Sequence, residues 1–172
     1  MRFDLDLARI TWIGHSTVLI ELDGVRLLTD PVLRTHVLHL RRVAAPASAP
    51  DRVDAVLVSH EHYDHLDINS LRQIGGAPRV VVPAGTAKRV RGWVEDIIEL
   101  NVGDEVEVGA VTVTATAAEH GRHALGYLVT GSARIYFAGD TDLFDGMREL
   151  APGLDVALLP ICLLYTSDAA DE

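Results

Sequence analysis

The 172-residue chain is 48% hydrophobic and carries 15 basic against 25 acidic side chains, a formal net charge of −10. That is the length of one domain with enough apolar material for a substantial core. The acidic balance argues against a nucleic-acid surface, which needs a basic stripe to displace phosphate counterions; Arg34, Arg41 and Arg42 form only a local basic patch.

The opening Met1-Arg2-Phe3-Asp4-Leu5-Asp6-Leu7 alternates apolar with charged residues, as an edge strand does and a signal peptide does not. No run approaches the roughly 18 apolar residues of a membrane span, so a soluble, cytoplasmic protein is expected. Residues 10–13 and 17–22 are rich in β-formers, and Asp23-Gly24 before residues 25–28 is a two-residue hairpin signal, so the first third reads as an antiparallel meander. Asp30-Pro31 ends it. The stretch to Asp51, with Pro46 and Pro50, reads as a long surface loop with one short helical turn, where His36 and His39 are simplest as surface residues.

Residues 54–59 are a short apolar run, expected as a strand buried on both faces. Asp67 caps a helix running to residue 74, closed by Gly75-Gly76. Residues 80–82 predict a buried strand, 85–93 a helix, and 97–100, 105–108 and 111–117 strands separated by Gly103-Asp104 and Gly109-Ala110. A hairpin over 125–130 and 134–138, a helix over 143–150 and a buried strand over 155–161 complete the pattern. Hairpins followed by alternating strands and helices predict an α/β fold with sheet packed on sheet and helices outside.

Three histidines and one aspartate fall within the six residues His60-Glu61-His62-Tyr63-Asp64-His65, in a chain with eight histidines. His60 and His62, at i and i+2, would not share a helical face and suit a strand end turning into a loop. Neutral imidazoles and a carboxylate are what a borderline ion such as zinc takes, and without a metal the same side chains would repel as imidazoliums. His120 and Asp140 each stand just after a strand, where ligands gather in layered folds; read alone, the first is a turn histidine and the second a helix cap. His15, in Gly14-His15-Ser16-Thr17, either supports the site from behind or only fixes its loop, and His123 either faces substrate or is an exposed loop residue.

His60-x-His62-x-Asp64-His65 after an apolar strand resembles the signature of the metallo-β-lactamase superfamily. The resemblance extends over residues 8–161 through Trp12-Ile-Gly-His15-Ser-Thr, Leu28-Leu-Thr-Asp30-Pro31, Ala118-Glu-His120, Tyr136-Phe-Ala-Gly-Asp140-Thr and Asp155-Val-Ala-Leu-Leu-Pro160. This combination is similar to the branch of L-ascorbate-6-phosphate lactonase and the N-acyl-phosphatidylethanolamine phospholipase D type enzymes. It implies a four-layer αββα fold and two divalent ions, zinc or manganese. His60, His62 and His120 would hold the first, Asp64 and His65 the second, and Asp140 both. It also implies a hydrolase acting on an ester, lactone or phosphodiester bond of a small-molecule or phospholipid-like substrate. A hydroxide shared by ions about 3.5–4 Å apart would be the nucleophile, and Asp64 would orient it and take its proton. Redox members with di-iron sites tend to carry Glu where this chain has His62. A noncatalytic metal binder, or a nuclease of the same superfamily, would use a similar set of ligands.

The family closes its second site with a further histidine near the C-terminus, whereas no histidine follows His123 here. The tail Cys162-Leu-Leu-Tyr-Thr-Ser-Asp-Ala-Ala-Asp-Glu172 lacks hydrophobic periodicity and resembles, over its whole length, the translation of a transposase adapter used in preparing sequencing libraries. The expectation is therefore an incomplete domain over 1–161 followed by a non-native tail over 162–172. Without the three acids of that tail the net charge is −7, and without Cys162 no cysteine is left. A second ion held more weakly than the first, and low activity, are expected to follow.

Overall fold

The computed structural model describes residues 1–4, 8–37, 40–41, 48–76 and 78–160. His39, Arg42, Pro46 and the tail with Cys162 lie outside them. The alternating N-terminus becomes β1 (Arg2–Asp4), β2 (Ala8–Gly14), β3 (Thr17–Leu22) and β4 (Val25–Thr29), antiparallel in sequence order. Asp23 (φ 50°) and Gly24 (φ 79°) both take positive φ between β3 and β4, as a two-residue hairpin turn whose twist matches its strands requires.

Among its described residues the next segment shows a short ribbon of β5 (His36–Val37) and β6 (Leu40–Arg41). It is not wholly a surface loop. Val32, Leu33 and Val37 are buried, and Leu33 N donates to Ser70 Oγ at 2.8 Å, pinning the segment to the first helix. Arg34 is taken up by Asp67, with Nε and Nη2 at 2.9 and 2.8 Å from its two carboxylate oxygens.

β7 (Ala55–Leu57), β8 (Arg79–Pro83) and β9 (Ile97–Leu100) then add in parallel beyond β4, giving the seven-stranded order β1-β2-β3-β4-β7-β8-β9. β10 (Glu105–Val108), β11 (Val111–Ala117), β12 (Leu125–Thr130) and β13 (Arg134–Phe137) form a second, antiparallel sheet, with β14 (Val156–Leu158) parallel on its edge. β14 was expected to be buried. As an edge strand it leaves Val156 and Leu158 half-buried, with Leu159 53% exposed just beyond it.

The helices α1 (Ile68–Leu71), α2 (Ala87–Val90) and α3 (Met147–Leu150) are single turns, shorter than their sequence signals. Asp67 caps α1 as expected, accepting from Ser70 N at 3.1 Å. The residues beyond tighten into i→i+3 turns, Gln73 N to Ser70 O and Ile74 N to Leu71 O. Around α3 the predicted span is built largely of the same bonds, Met147 N to Phe144 O and Arg148 N to Asp145 O. α2 ends where Arg91 turns to φ −58°, ψ 130°. Among the described residues no helix is long and apolar enough to cross a membrane.

Period-two alternation distributes the apolar side chains over distinct cores. Ile20, Leu27 and Leu57 of the first sheet meet Val113, Tyr127 and Ile135 of the second, while Leu28, Val56 and Val80 point the other way, against Leu71 and Val90 of α1 and α2. Leu128, Tyr136 and Ala138 face Met147 and Leu150 of α3. The layering is αββα. Side chains such as Leu27 and Leu57, with no exposure, contribute roughly 1.5–3 kcal/mol each by leaving water. This packing fixes the strand ends that carry the polar cluster.

Candidate metal centre

The segment His60–His65 leaves the C-terminal end of β7, Asp30 that of β4, His120 follows β11, and Asp140 follows β13. Both sheets therefore contribute. The loops meet closely: Leu125 N donates to Ser59 O at 2.9 Å, and Gly139, at φ 62°, approaches Ser59 so tightly that a Cβ there would lie 2.6 Å from Ser59 Cβ. Only glycine fits, and it delivers Asp140 beside His65.

His60, His62 and His120 place one ring nitrogen each within 4.8 Å of the others, as do the donor atoms of His60, His65 and Asp140 and those of His15, Asp64 and His65. His60 Nε2 is 3.0 Å from His62 Nδ1, and His120 Nε2 is 3.5 Å from that same atom. Ligands about 2.0–2.1 Å from a tetrahedral zinc lie about 3.4 Å from one another, so these spacings are those of a coordination shell. All six side chains singled out in the sequence come together, with Asp140 reaching the His60 and His65 groups alike. His123, at φ 59°, is exposed on a loop near Gly85, and His36 is exposed on β5; neither joins a donor group.

The structure adds residues the sequence left without a role. Asp30, fully buried, accepts from Ser59 N and Ser59 Oγ at 2.6 Å each and from His65 Nδ1 at 2.7 Å. Since the single Ser59 hydroxyl proton goes to Asp30, Ser59 Oγ accepts from His60 Nδ1 at 2.9 Å. Both imidazoles thus have Nδ1 engaged as donor and Nε2 turned to the centre, the usual way a protein fixes a ligating tautomer. The sequence signal for Asp30 was a carboxylate at a strand terminus just before proline. Tyr127 Oη, also fully buried, donates to Val58 O at 2.7 Å behind the cluster.

Burial, reinforced by the imidazoles of His65 and His62, pushes His60 down to about 2, so it is neutral and ready to donate a lone pair. Burial also opposes charge on His65, but the Asp30 and Asp140 carboxylates outweigh it and hold the ring up at about 10, so a metal on Nε2 would have to displace the proton that these carboxylates stabilise there. Burial raises Asp64 less than the hydrogen bond to His15 and the charge of His65 lower it, keeping it well below the usual carboxylate range. Asp140 is lowered too: burial raises it, and its contact with His65 prevails. His65 Nε2 lies 3.1 Å from Asp140 Oδ2 and 3.7 Å from Asp64 Oδ2, without the alignment of a hydrogen bond, and is left buried with no hydrogen-bond partner. A buried orphan nitrogen facing two carboxylates is what a cation between them would satisfy, so the donor set fits a divalent metal.

The β-lactamase superfamily domain model matches residues 25–169. The chain is 34% identical to an uncharacterised protein of Mycobacterium tuberculosis over 93% of this chain but 50% of that one, so it spans about half the length of such mycobacterial relatives. It is 34% identical to the UPF0173 metal-dependent hydrolase of Methanopyrus kandleri, over 92% of this chain and 74% of the relative. A solved structure from Parabacteroides distasonis shares the fold with a TM-score of 0.77 at 23% identity, covering 94% of this chain and 75% of that one.

Proposed function

This chain belongs to the metallo-β-lactamase superfamily, within the UPF0173 family of metal-dependent hydrolases, and from that premise we propose that it is a hydrolase of ester, lactone or phosphodiester bonds. It would hold two divalent ions, zinc or manganese. The observation that carries the reading is the convergence of ring nitrogens from His60, His62 and His120 beside a buried His65 Nε2 with no hydrogen-bond partner.

In this proposal His60, His62 and His120 hold one ion, Asp64 and His65 the other, and Asp140 reaches both. Ions at these positions would supply Lewis acidity, making a water nucleophilic near neutral pH and polarising the attacked carbonyl or phosphoryl oxygen. The protein's own groups prepare the rest. Asp30 and Ser59 hold the His65 and His60 rings so that Nε2 faces inward. Asp64, partly exposed beside the cluster, would orient the attacking water and receive its proton. His62 supplies an imidazole at the position where redox members of the superfamily with di-iron sites tend to carry Glu, and this part of the resemblance favours hydrolysis over oxygen chemistry. The substrate would be a small molecule or a phospholipid-like ester and not nucleic acid, given the acidic chain.

The test is metal content by mass spectrometry together with turnover of a generic ester and a generic phosphodiester, before and after replacing His60 and His62 together by Ala. Loss of most bound metal and of hydrolysis is expected in the double variant. Two tightly bound ions and unchanged turnover would reject the assignment, whereas metal binding without turnover in the unaltered protein would favour a noncatalytic binder.

A further inference from the structure

We propose that His15 is itself a ligand to the ion held by Asp64 and His65, an imidazole delivered from the β2–β3 turn of the first sheet. The inference rests on the reading that the cluster binds metal and deepens it by adding a seventh residue.

His15 Nε2 lies 3.1 Å from Asp64 Oδ2, across 49 positions of sequence, and the same Asp64 oxygen lies 3.7 Å from His65 Nε2. These two separations bracket the roughly 3.4 Å between neighbouring donors of a tetrahedral zinc with bonds of about 2.0–2.1 Å. The third pair also lies within 4.8 Å, and the His15 and His65 rings stand 5.0 Å apart at 63°. His65 Nε2, the buried atom without a hydrogen-bond partner, belongs to this group.

The backbone is built to hold His15 there. The β2–β3 register shifts between Trp12 and Gly14, and Gly14 (φ 147°) is followed by His15 at φ 50°, an unfavourable conformation for a residue with a Cβ. Trp12 Nε1 donates to His15 O at 2.8 Å and clasps the bend. An ordinary turn would place glycine or asparagine at that position. A histidine kept in a costly conformation, with its ring on a metal-ligand carboxylate, is more than a loop filler. Ligation also accounts for its aim at the same oxygen that faces His65, which a histidine serving only the loop would not need.

Direct ligation and simple hydrogen bonding to Asp64 make different demands. A Gln side chain still donates to Asp64 but is a poor zinc ligand. The experiment titrates the chain, His15→Ala and His15→Gln with zinc against a chromophoric chelator. It then loads each with cobalt(II) and counts hyperfine-shifted imidazole N–H proton resonances by NMR, using His60→Ala as reference for the other site. The expected result is at least a tenfold weaker second equivalent in both His15 variants, an unchanged first equivalent, and one imidazole resonance fewer. Unchanged second-equivalent affinity in His15→Ala, or recovery of that affinity in His15→Gln with the resonance count intact, would overturn the proposal. A preserved first equivalent shows that the variants are folded. If the unaltered chain takes up no zinc, the metal reading itself fails and this proposal with it; if it takes up two equivalents and His15→Ala does as well, only this proposal fails.

Discussion

Replacing Asp30 by Ala removes one acceptor group on which three donors depend: Ser59 N, Ser59 Oγ and His65 Nδ1, at 2.6, 2.6 and 2.7 Å. None of them gains water in exchange, since Asp30 and His65 have no exposure and Ser59 has 1%. A buried donor left unpaired costs about 1–3 kcal/mol, more when charged, and removing one partner of a buried ion pair costs about 3–5 kcal/mol. Ser59 Oγ already lies 3.4 Å from His65 Nδ1 and can turn toward it, which recovers part of the loss. Asp30 also sits at φ 33°, which Ala tolerates less well than Asp or Asn. The expected destabilisation is about 3–5 kcal/mol, a large share of the roughly 5–15 kcal/mol available to a domain. Asp30→Asn, which keeps the volume, one acceptor oxygen and the backbone preference, should lose about half as much. Urea unfolding followed by circular dichroism, in the presence of a chelator so that ion binding adds nothing to the native state, measures both. A loss below about 1 kcal/mol in Asp30→Ala would refute the view that this carboxylate organises the strand ends.

Gly139→Ala should destabilise by at least about 1–2 kcal/mol from its left-handed backbone alone. The contact with Ser59 adds to this and should displace Asp140, so the same titration should show weakened metal uptake; a fully stable variant with normal uptake would contradict the packing described. Tyr127→Phe removes the donor to Val58 O inside the sheet–sheet core and should cost about 1–2 kcal/mol in the same unfolding assay without altering metal stoichiometry. A change in stoichiometry would mean that Tyr127 reaches the site in a way its buried position does not indicate.

The strands were legible because their signals are local. The β-formers of residues 17–22 and the Asp23-Gly24 pair mark a strand and the turn of one hairpin, and the unbroken apolar run at 55–57 marks a strand covered on both sides. The helices were overread, since a cap such as Asp67 announces where a helix begins but not that it will tighten into i→i+3 turns after one round. The His60–His65 cluster declared itself by composition. His120 and Asp140 did so only through resemblance, because their meeting depends on how β11 and β13 dock. Asp30 carries no local mark of its partner, 35 positions ahead in His65, nor does His15 of Asp64. Contacts of that kind exist only once the strands of the large sheet have assembled.

All the strands of the large sheet precede residue 101 and all those of the smaller one follow residue 104, so a single tether, the turn capped by Asn101 N on Asp104 Oδ2 at 2.7 Å, joins the two. The proposed coordination shell is divided by the same tether: His60, His62, Asp64 and His65 stand before it, His120 and Asp140 after it. Severed there, next to the exposed Val102, neither piece would own a complete first site. Under that proposal a divalent ion would add a second link to the apolar core that the two pieces share, and its capture would become an optical or magnetic report of their complementation.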